Sequence, residues 1–162
     1  MRIATFQYQG QTQVGLVNAE QTQVTVLNLG AAERELGALP LIERLVAGQP
    51  LPAQGATLAL KDVHLMAPIP KPRRNIFCVG KNYHEHAKEF HASGFDSTST
   101  SAVPDLPIVF TKAPSSVSGP GDEIPAWLDE TNSVDYEGEL TLVIGPGGRA
   151  ISKAKALDHI FG

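Results

Sequence analysis

The sequence predicts an α+β fold that is mostly β, and three observations support this prediction. Residues 1 to about 30 alternate between apolar and polar side chains in three short runs, which is typical of antiparallel strands. Apolar runs of similar length at 75–80, 106–113 and 134–144 predict further strands. Helical spacing of apolar or charged residues is confined to segments within 31–48, 81–90 and 152–161.

The first 66 residues predict a small β-rich domain. The stretches "RIATFQYQ", "TQVGLVNA" and "TQVTVLNL" form a three-stranded meander with turns near Gly10 and after Asn18. A helix follows, and a further strand is expected over 58–65. The helix has apolar side chains at helical spacing: Leu41, Ile42, Leu45 and Val46. Three prolines at 68, 70 and 72 then break regular structure, so we predict a second domain over residues 67–162.

Composition excludes several classes of protein. The chain has 162 residues, 42% of them hydrophobic and 19% charged, which is typical of a globular protein. Its formal net charge is −4 and it has no basic patch, so we expect no nucleic-acid partner. No apolar run approaches the roughly 20 residues of a membrane span, so no membrane partner is expected. The alternating N-terminus does not resemble a signal peptide, and Cys78 is the single cysteine. These features favour a cytoplasmic location.

The second domain begins with a short apolar strand, "NIFCVG", which we expect to be buried. The stretch "KNYHEHAKEF" predicts a helix, and the Ser-, Thr- and Gly-rich residues 91–104 predict a mobile loop that can act as a lid. A strand in "LPIVFTK" follows, and the chain closes with a helix capped by Ser152 and Gly162. A strand–helix unit usually leads to another strand, so we expect this chain to be part of a larger protein.

The predicted strand 134–144 places three acids on one face. Asp135, Glu137 and Glu139 are two residues apart, so their side chains point the same way at a spacing of roughly 7 Å. Like charges this close repel unless water or a cation relieves them. The first interpretation is an ordinary solvent-exposed face, which is common for antiparallel strands. The second is a site for a hard divalent cation, which prefers carboxylate oxygens.

The stretch "HEHAKE" offers a general base on the predicted helix. His84 and His86 would point roughly 200° apart and could not share a metal, whereas His86 and Glu89 share a face. A carboxylate beside a histidine orients the imidazole and stabilises its protonated form. The alternative is a charged surface helix, and a zinc site would need further ligands at suitable spacing.

Lys112 ends the strand "IVFTK" before a Pro-Ser-Ser turn. A lysine near carboxylates at a strand end can hold an anionic oxygen of a substrate. The alternative is a solvent-exposed lysine without a catalytic role, because most lysines are exposed.

Three stretches resemble the fumarylacetoacetate hydrolase family in order and spacing. They are "CVGKNYHEHAKEF", "PIVFTKAPSSVSGPGDEI" and "DYEGELTLVIGPGGRAISKAKALDHIFG", and the resemblance covers about residues 70–162. The first 65 residues resemble the small accessory domain of bacterial members. The resemblance implies that the second domain is the first part of a mixed β-roll.

The resemblance also implies a role for each candidate residue. In the family the glutamates of the Glu-x-Glu strand bind Mg2+, Mn2+ or Ca2+, which implies Glu137 and Glu139 as metal ligands. The His–Glu pair that activates a water corresponds to His86 and Glu89.

Two further residues acquire roles in the same way. The family's active-site lysine corresponds to Lys112, which implies a catalytic role for it. Lys112 is also expected to bind substrate, together with Tyr83 of the Gly-x-Asn-Tyr-x-x-His motif. The segment after the histidine, at 90–104, corresponds to a lid in some relatives.

The implied function is a metal-dependent hydrolase that cleaves a C–C bond in a 2-oxo acid or 1,3-dicarbonyl compound, such as fumarylacetoacetate or an acylpyruvate. His86 would take a proton from the attacking water. Aromatic catabolism and a homodimer are expected by the same resemblance. The alternatives are a decarboxylase or isomerase acting on a related 2-oxo acid such as oxaloacetate, and an inactive fragment or interaction module. Family members carry a third carboxylate ligand, an aspartate, on a strand that would follow Gly162, so we expect the metal site to be incomplete here.

Overall fold

A five-stranded antiparallel sheet dominates the N-terminal part of the chain in the computed structural model, which describes residues 1–93 and 103–162. Its strands are β1 (Arg2–Tyr8), β2 (Gln11–Val17), β3 (Gln23–Leu27), β4 (Gln54–Ala59) and β5 (His64–Leu65). They lie in the order β4-β3-β2-β1-β5. The predicted meander is confirmed, because β1 pairs with β2 and β2 pairs with β3.

Two helices follow β3. The first, α1 (Ala31–Arg34), is a single turn, and the second, α2 (Leu39–Val46), buries Leu41 and Ile42 as the helical spacing predicted. The core consists of Val14, Leu27, Leu29 and Leu41, with three partly buried residues packed against it: Ile3, Leu16 and Leu45. The hydrophobic effect therefore joins α2 to the central strands of the sheet.

Close strand packing explains the glycine in β2. A Cβ atom at Gly15 would lie 2.6 Å from the carbonyl oxygen of Thr25 and 2.7 Å from a methyl group of Val24. Any side chain there would force β2 and β3 apart, so glycine is the residue that permits this pairing.

The prediction of one strand over 58–65 is wrong in one respect, because this stretch contains the end of β4 and the whole of β5. β4 ends at Ala59, where it pairs with β3, and a 3-10 turn covers Leu60–Asp62. β5 pairs instead with β1, at the opposite end of the strand order. One continuous strand cannot pair with both edges of the sheet, so the turn is required.

The second part of the fold is a β-ribbon with a helix. Strand β6 (Ile76–Gly80) pairs antiparallel with β7 (Ile108–Lys112), and helix α3 (His84–Ala92) lies between them in sequence. The strands and the helix are predicted correctly, but the expected burial of β6 is wrong. Phe77 is 72% exposed, because β6 belongs to a two-stranded ribbon rather than to the middle of a sheet.

The prediction of a strand over 134–144 is wrong. Among the described residues, its pairing is limited to one antiparallel bridge between Ile144 and Ile160. Backbone hydrogen bonds link Val143 to Phe161 and Gly145 to His159, at 2.7 and 2.8 Å. Residues 134–143 have the alternating sequence of a strand, but no described strand lies beside them. A strand is stabilised by the side-chain pairs that it makes with a neighbouring strand.

The final helix differs in kind from the prediction. Residues Lys153–His159 form a 3-10 helix that begins after Ser152, although the Ser152 side chain makes no capping hydrogen bond. The helix ends before Ile160, so Gly162 is not its cap, and Leu157 is 79% exposed rather than packed. Without a covered face, this segment lacks the tertiary packing that stabilises most helices.

The chain divides into two compact units. The first contains residues 1–71 and 118–162, and the second contains residues 72–117. None of the described helices combines the length and the apolar character needed to cross a membrane.

Candidate active site

Helix α3 carries the predicted His–Glu pair in the second unit. Tyr83 precedes the helix with extended backbone angles, and Ala87 is fully buried, so the helix has one covered face. His86 and Glu89 are both solvent-exposed and three residues apart in α3. Residues at this spacing are neighbours on a helix surface, as the sequence predicted. Their role as a base and its orienting group stays a prediction.

An aromatic contact defines the surroundings of His86. Its ring centroid lies 6.3 Å from that of Phe90, one helical turn later, and the ring planes are inclined by 31°. This separation is within the range of favourable aromatic pairs. Phe90 therefore gives the His86 imidazole a hydrophobic neighbour on the same helix.

Helix α3 also has the features of a charged surface helix, the alternative to a general-base role. Lys88 and Glu85 form an ion pair at 2.9 Å with side chains that are 61% and 82% exposed. Exposed helix pairs at this spacing contribute only about 0.2–0.5 kcal/mol. His84 is also exposed and lies at the first position of α3, two residues before His86.

Lys112 lies at the last position of β7. The strand register places it opposite Ile76, whereas Gly80, from which the chain turns toward α3, lies opposite Ile108. The side chain is exposed, and its Nζ lies 6.0 Å from the centroid of the Phe110 ring. Tyr83 is 45% exposed at the start of α3. Substrate binding by Tyr83 and Lys112 stays a prediction.

A cleft of about 270 Å3 opens where β6 leads into α3. It is lined by Val79, Gly80, Lys81, Asn82, His84 and residues 103–107. Lys81 lines this cleft, and the sequence did not predict it as a site residue. Its backbone has a φ of 53° and its side chain is only 9% exposed. The available sequence indication was the turn-forming flank of Gly80 and Asn82.

Glu137 and Glu139 lie in the first unit, in the irregular segment that precedes the bridge at Ile144. Both are exposed, and Gly138 between them has open space around it. Asp135 accepts a hydrogen bond from the backbone N–H of Tyr136 at 2.8 Å. The described residues do not group three or more His, Cys, Asp or Glu side chains into a metal site.

The two glutamates fit a hard divalent cation by their chemistry. Mg2+, Mn2+ and Ca2+ take carboxylate oxygens, and these side chains are accessible with no lysine or arginine between them. Such cations take about six or more oxygen ligands, so two carboxylates supply part of a coordination shell.

A hydrogen-bonded loop precedes the segment with the two glutamates. The carboxylate of Asp129 accepts the backbone N–H groups of Thr131, Ser133 and Val134 at 2.9, 2.6 and 2.9 Å. It also accepts the Thr131 hydroxyl at 2.5 Å. These bonds, led by the Thr131 hydroxyl, lower the pKa of Asp129 from 3.8 to about 2. Asp129 thereby ties down the loop from which the chain enters Val134.

The predicted lid at 90–104 is largely beyond the described part of the chain. Residues 94–102, including Phe95, lie outside the described residues.

A family model described as "Fumarylacetoacetate (FAA) hydrolase C-terminal" matches residues 75–162, which is more than half of the chain. The chain belongs to the fumarylacetoacetate hydrolase family. A second model, "Rv2993c-like, N-terminal", matches residues 1–68 of this family member.

Relatives from two bacteria are similar to this fumarylacetoacetate hydrolase family member. The oxaloacetate tautomerase YisK of Bacillus subtilis is 38% identical over 183 residues, covering 100% of this chain and 58% of the relative. An uncharacterized Staphylococcus haemolyticus protein, SH1982, is 41% identical over 105 residues, covering 65% of this chain and 31% of that protein.

A solved structure agrees with the family assignment. The fumarylacetoacetate hydrolase of Exiguobacterium antarcticum superposes with a TM-score of 0.67 at 33% identity, covering 100% of this chain and 53% of that one. This likeness confirms the predicted fold class, α+β and mostly β. The chain spans just over half the length of these two relatives.

Proposed function

We propose that the whole protein catalyses keto–enol tautomerisation of oxaloacetate or a closely related 2-oxo acid, with the help of a divalent metal. The observation that supports this proposal is the 38% identity, over the full length of this chain, to a protein named oxaloacetate tautomerase. Isomerisation was the alternative to hydrolysis in the sequence analysis, and this relative now favours it.

Tautomerisation needs a base that removes a proton from the carbon beside the ketone. His86 suits this role, because imidazole is the most common general base in enzymes and this side chain is accessible on α3. Glu89, one turn away on the same helix, would orient the imidazole and stabilise its protonated form. The proton removed from carbon is balanced by a proton that arrives at the ketone oxygen, so no water is consumed.

The remaining residues would bind and polarise the substrate. A divalent cation held by Glu137 and Glu139 would supply positive charge that stabilises the developing enolate. The ammonium group of Lys112 would pair with a substrate carboxylate, and Tyr83 would add a hydroxyl near the start of α3. The Mg2+, Mn2+ and Ca2+ alternatives stay open. The homodimer, the cytoplasmic location and the domain division at residue 66 stay predictions.

The second candidate function is C–C bond hydrolysis of an acylpyruvate-like compound, for which the family resemblance implies a place in aromatic catabolism. The family model and the structural likeness to a fumarylacetoacetate hydrolase favour it. In that reaction His86 would take a proton from water, and the water oxygen would form a bond to the substrate carbonyl carbon as the C–C bond breaks.

Turnover of two substrates by the whole protein tests the proposal. We expect fast interconversion of the keto and enol forms of oxaloacetate, followed by ultraviolet absorbance, and little cleavage of acylpyruvate. The His86→Ala variant should lose about 10²–10⁴-fold of this rate, the usual contribution of a positioned base. The His84→Ala variant, two residues away on α3, is the matched control and should retain most activity. Equal losses in the two variants, or cleavage of acylpyruvate alone, would contradict the proposal.

A further inference from the structure

Lys81 is an unusual lysine. Lysine side chains are almost always exposed, yet this one is only 9% exposed. Its backbone φ of 53° lies in the left-handed region that favours glycine or asparagine. A residue held in this conformation with a buried side chain depends on the contacts of that side chain for its stability.

The ammonium group of Lys81 lies over an aromatic ring. Its Nζ is 5.6 Å from the centroid of Phe90, within the range of a cation–π interaction. Phe90 is also the ring that neighbours the His86 imidazole, with centroids 6.3 Å apart. His86 and Phe90 are four residues apart in α3 and therefore lie on the same face of the helix. Phe90 thus has the ammonium of Lys81 and the imidazole of His86 as neighbours.

We propose that Lys81 is a positioning residue that holds the Phe90 ring and, through that ring, the imidazole of His86. The inference rests on the proposed function, in which His86 is the base. An exposed histidine on a helix samples several rotamers, and proton transfer requires the one that faces the reacting carbon. A Phe90 ring that is held by the ammonium of Lys81 would reduce the number of rotamers that His86 adopts. Loss of the cation should therefore lower kcat and leave KM nearly unchanged.

A different role for Lys81 predicts a different result. Lys81 lines the cleft together with Asn82 and His84, so direct binding of a substrate carboxylate would appear as a raised KM. The split between kcat and KM therefore separates a positioning role from a substrate-binding role.

Three variants of the whole protein test the proposal by steady-state kinetics. Lys81→Gly removes the ammonium and accepts the left-handed backbone without strain. We expect its kcat to fall about tenfold and its KM to change by less than about twofold, as loss of a partly desolvated cation–π contact implies. Lys81→Arg keeps a cation and should recover most of kcat. Lys88→Ala removes an exposed lysine from α3, the helix that carries Phe90 and His86, and should match the unsubstituted protein.

A readout on the 162-residue chain separates this proposal from the proposed function. The imidazole signals of His86 in an NMR spectrum should shift in Lys81→Gly, return toward their original positions in Lys81→Arg, and stay unchanged in Lys88→Ala. The signals of His64, which is exposed in β5 of the first unit, serve as the internal reference. Unchanged His86 signals, or a raised KM with unchanged kcat, would overturn the positioning role while leaving His86 as the base. If His86→Ala keeps full activity, the proposed function fails instead, and the NMR comparison still decides whether Lys81 holds the ring.

Discussion

Asp129 shows at the residue scale how one carboxylate can order a loop. Three backbone N–H groups and one hydroxyl donate to it, and these bonds lower its pKa from 3.8 to about 2. A lowered pKa means that the ionised form contributes stability above the unfolded pKa of 3.8. That contribution is lost as the pH falls through the folded pKa of about 2.

This linkage predicts a local transition in acid. The backbone amide signals of Thr131, Ser133 and Val134 should shift together with a midpoint near pH 2 in an NMR titration. The Asp129→Asn variant should lack the transition, because its amide does not ionise. A midpoint at the ordinary value of 3.8 in the unsubstituted chain would show that the four hydrogen bonds do not act on this carboxylate.

The residues of the candidate site were predictable to different degrees. Spacing alone placed His86 and Glu89 on one helix, because helical geometry fixes which positions share a face. The burial of Lys81 could not be read from the sequence in the same way. It depends on a left-handed backbone turn and on a contact with Phe90, nine residues later, and neither follows from residue type or periodicity.

Helix α2 connects the sequence pattern to the stability of the first unit at the scale of elements. Leu41 is fully buried in the cluster with Val14, Leu27 and Leu29. Removal of a buried leucine side chain loses its transfer free energy and leaves a cavity.

We therefore predict that Leu41→Ala lowers the free energy of unfolding by about 2–5 kcal/mol. The matched control is Leu157→Ala, the same substitution at a residue that is 79% exposed, which should change the free energy by less than about 0.5 kcal/mol. Chemical denaturation followed by circular dichroism measures both values. Similar losses in the two variants would mean that the Leu41 cluster is not the core of this unit.

Strand prediction succeeded where the partner was near in sequence. β1 and β2 are joined by a tight turn at Gly10, so alternation and turn residues together specify the pair. Residues 134–144 alternate as regularly, yet the pairing of this stretch among the described residues is confined to its end at Ile144. Periodicity states which side chains share a face, but it contains no information about whether another strand lies alongside.

The same limit applies at the scale of the whole molecule. The order of apolar runs and turns predicted the fold class, and the comparisons with relatives confirmed the family. The grouping of residues 118–162 with residues 1–71 could not be predicted, because it depends on contacts between segments far apart in sequence. Local patterns do not encode such contacts.

We predict that Glu137 and Glu139 are ligands of a divalent cation in the whole molecule. Because Glu137 and Glu139 supply only two carboxylates to this site among the described residues, we expect weak cation binding by the 162-residue protein. Affinity for hard cations rises with the number of charged ligands.

Paramagnetic Mn2+ tests this claim most directly, because it broadens the NMR signals of nuclei close to it even when binding is weak. We predict that low concentrations of Mn2+ selectively broaden the amide signal of Gly138, and that an excess of Mg2+ reverses the effect. The double variant Glu137→Gln plus Glu139→Gln should abolish the broadening. Asp135→Asn, which removes one negative charge two residues before Glu137, should largely preserve it. Broadening of Gly138 that survives in the double variant, or that is absent from the unsubstituted chain while other acidic positions are broadened, would contradict the assignment of these two glutamates as metal ligands.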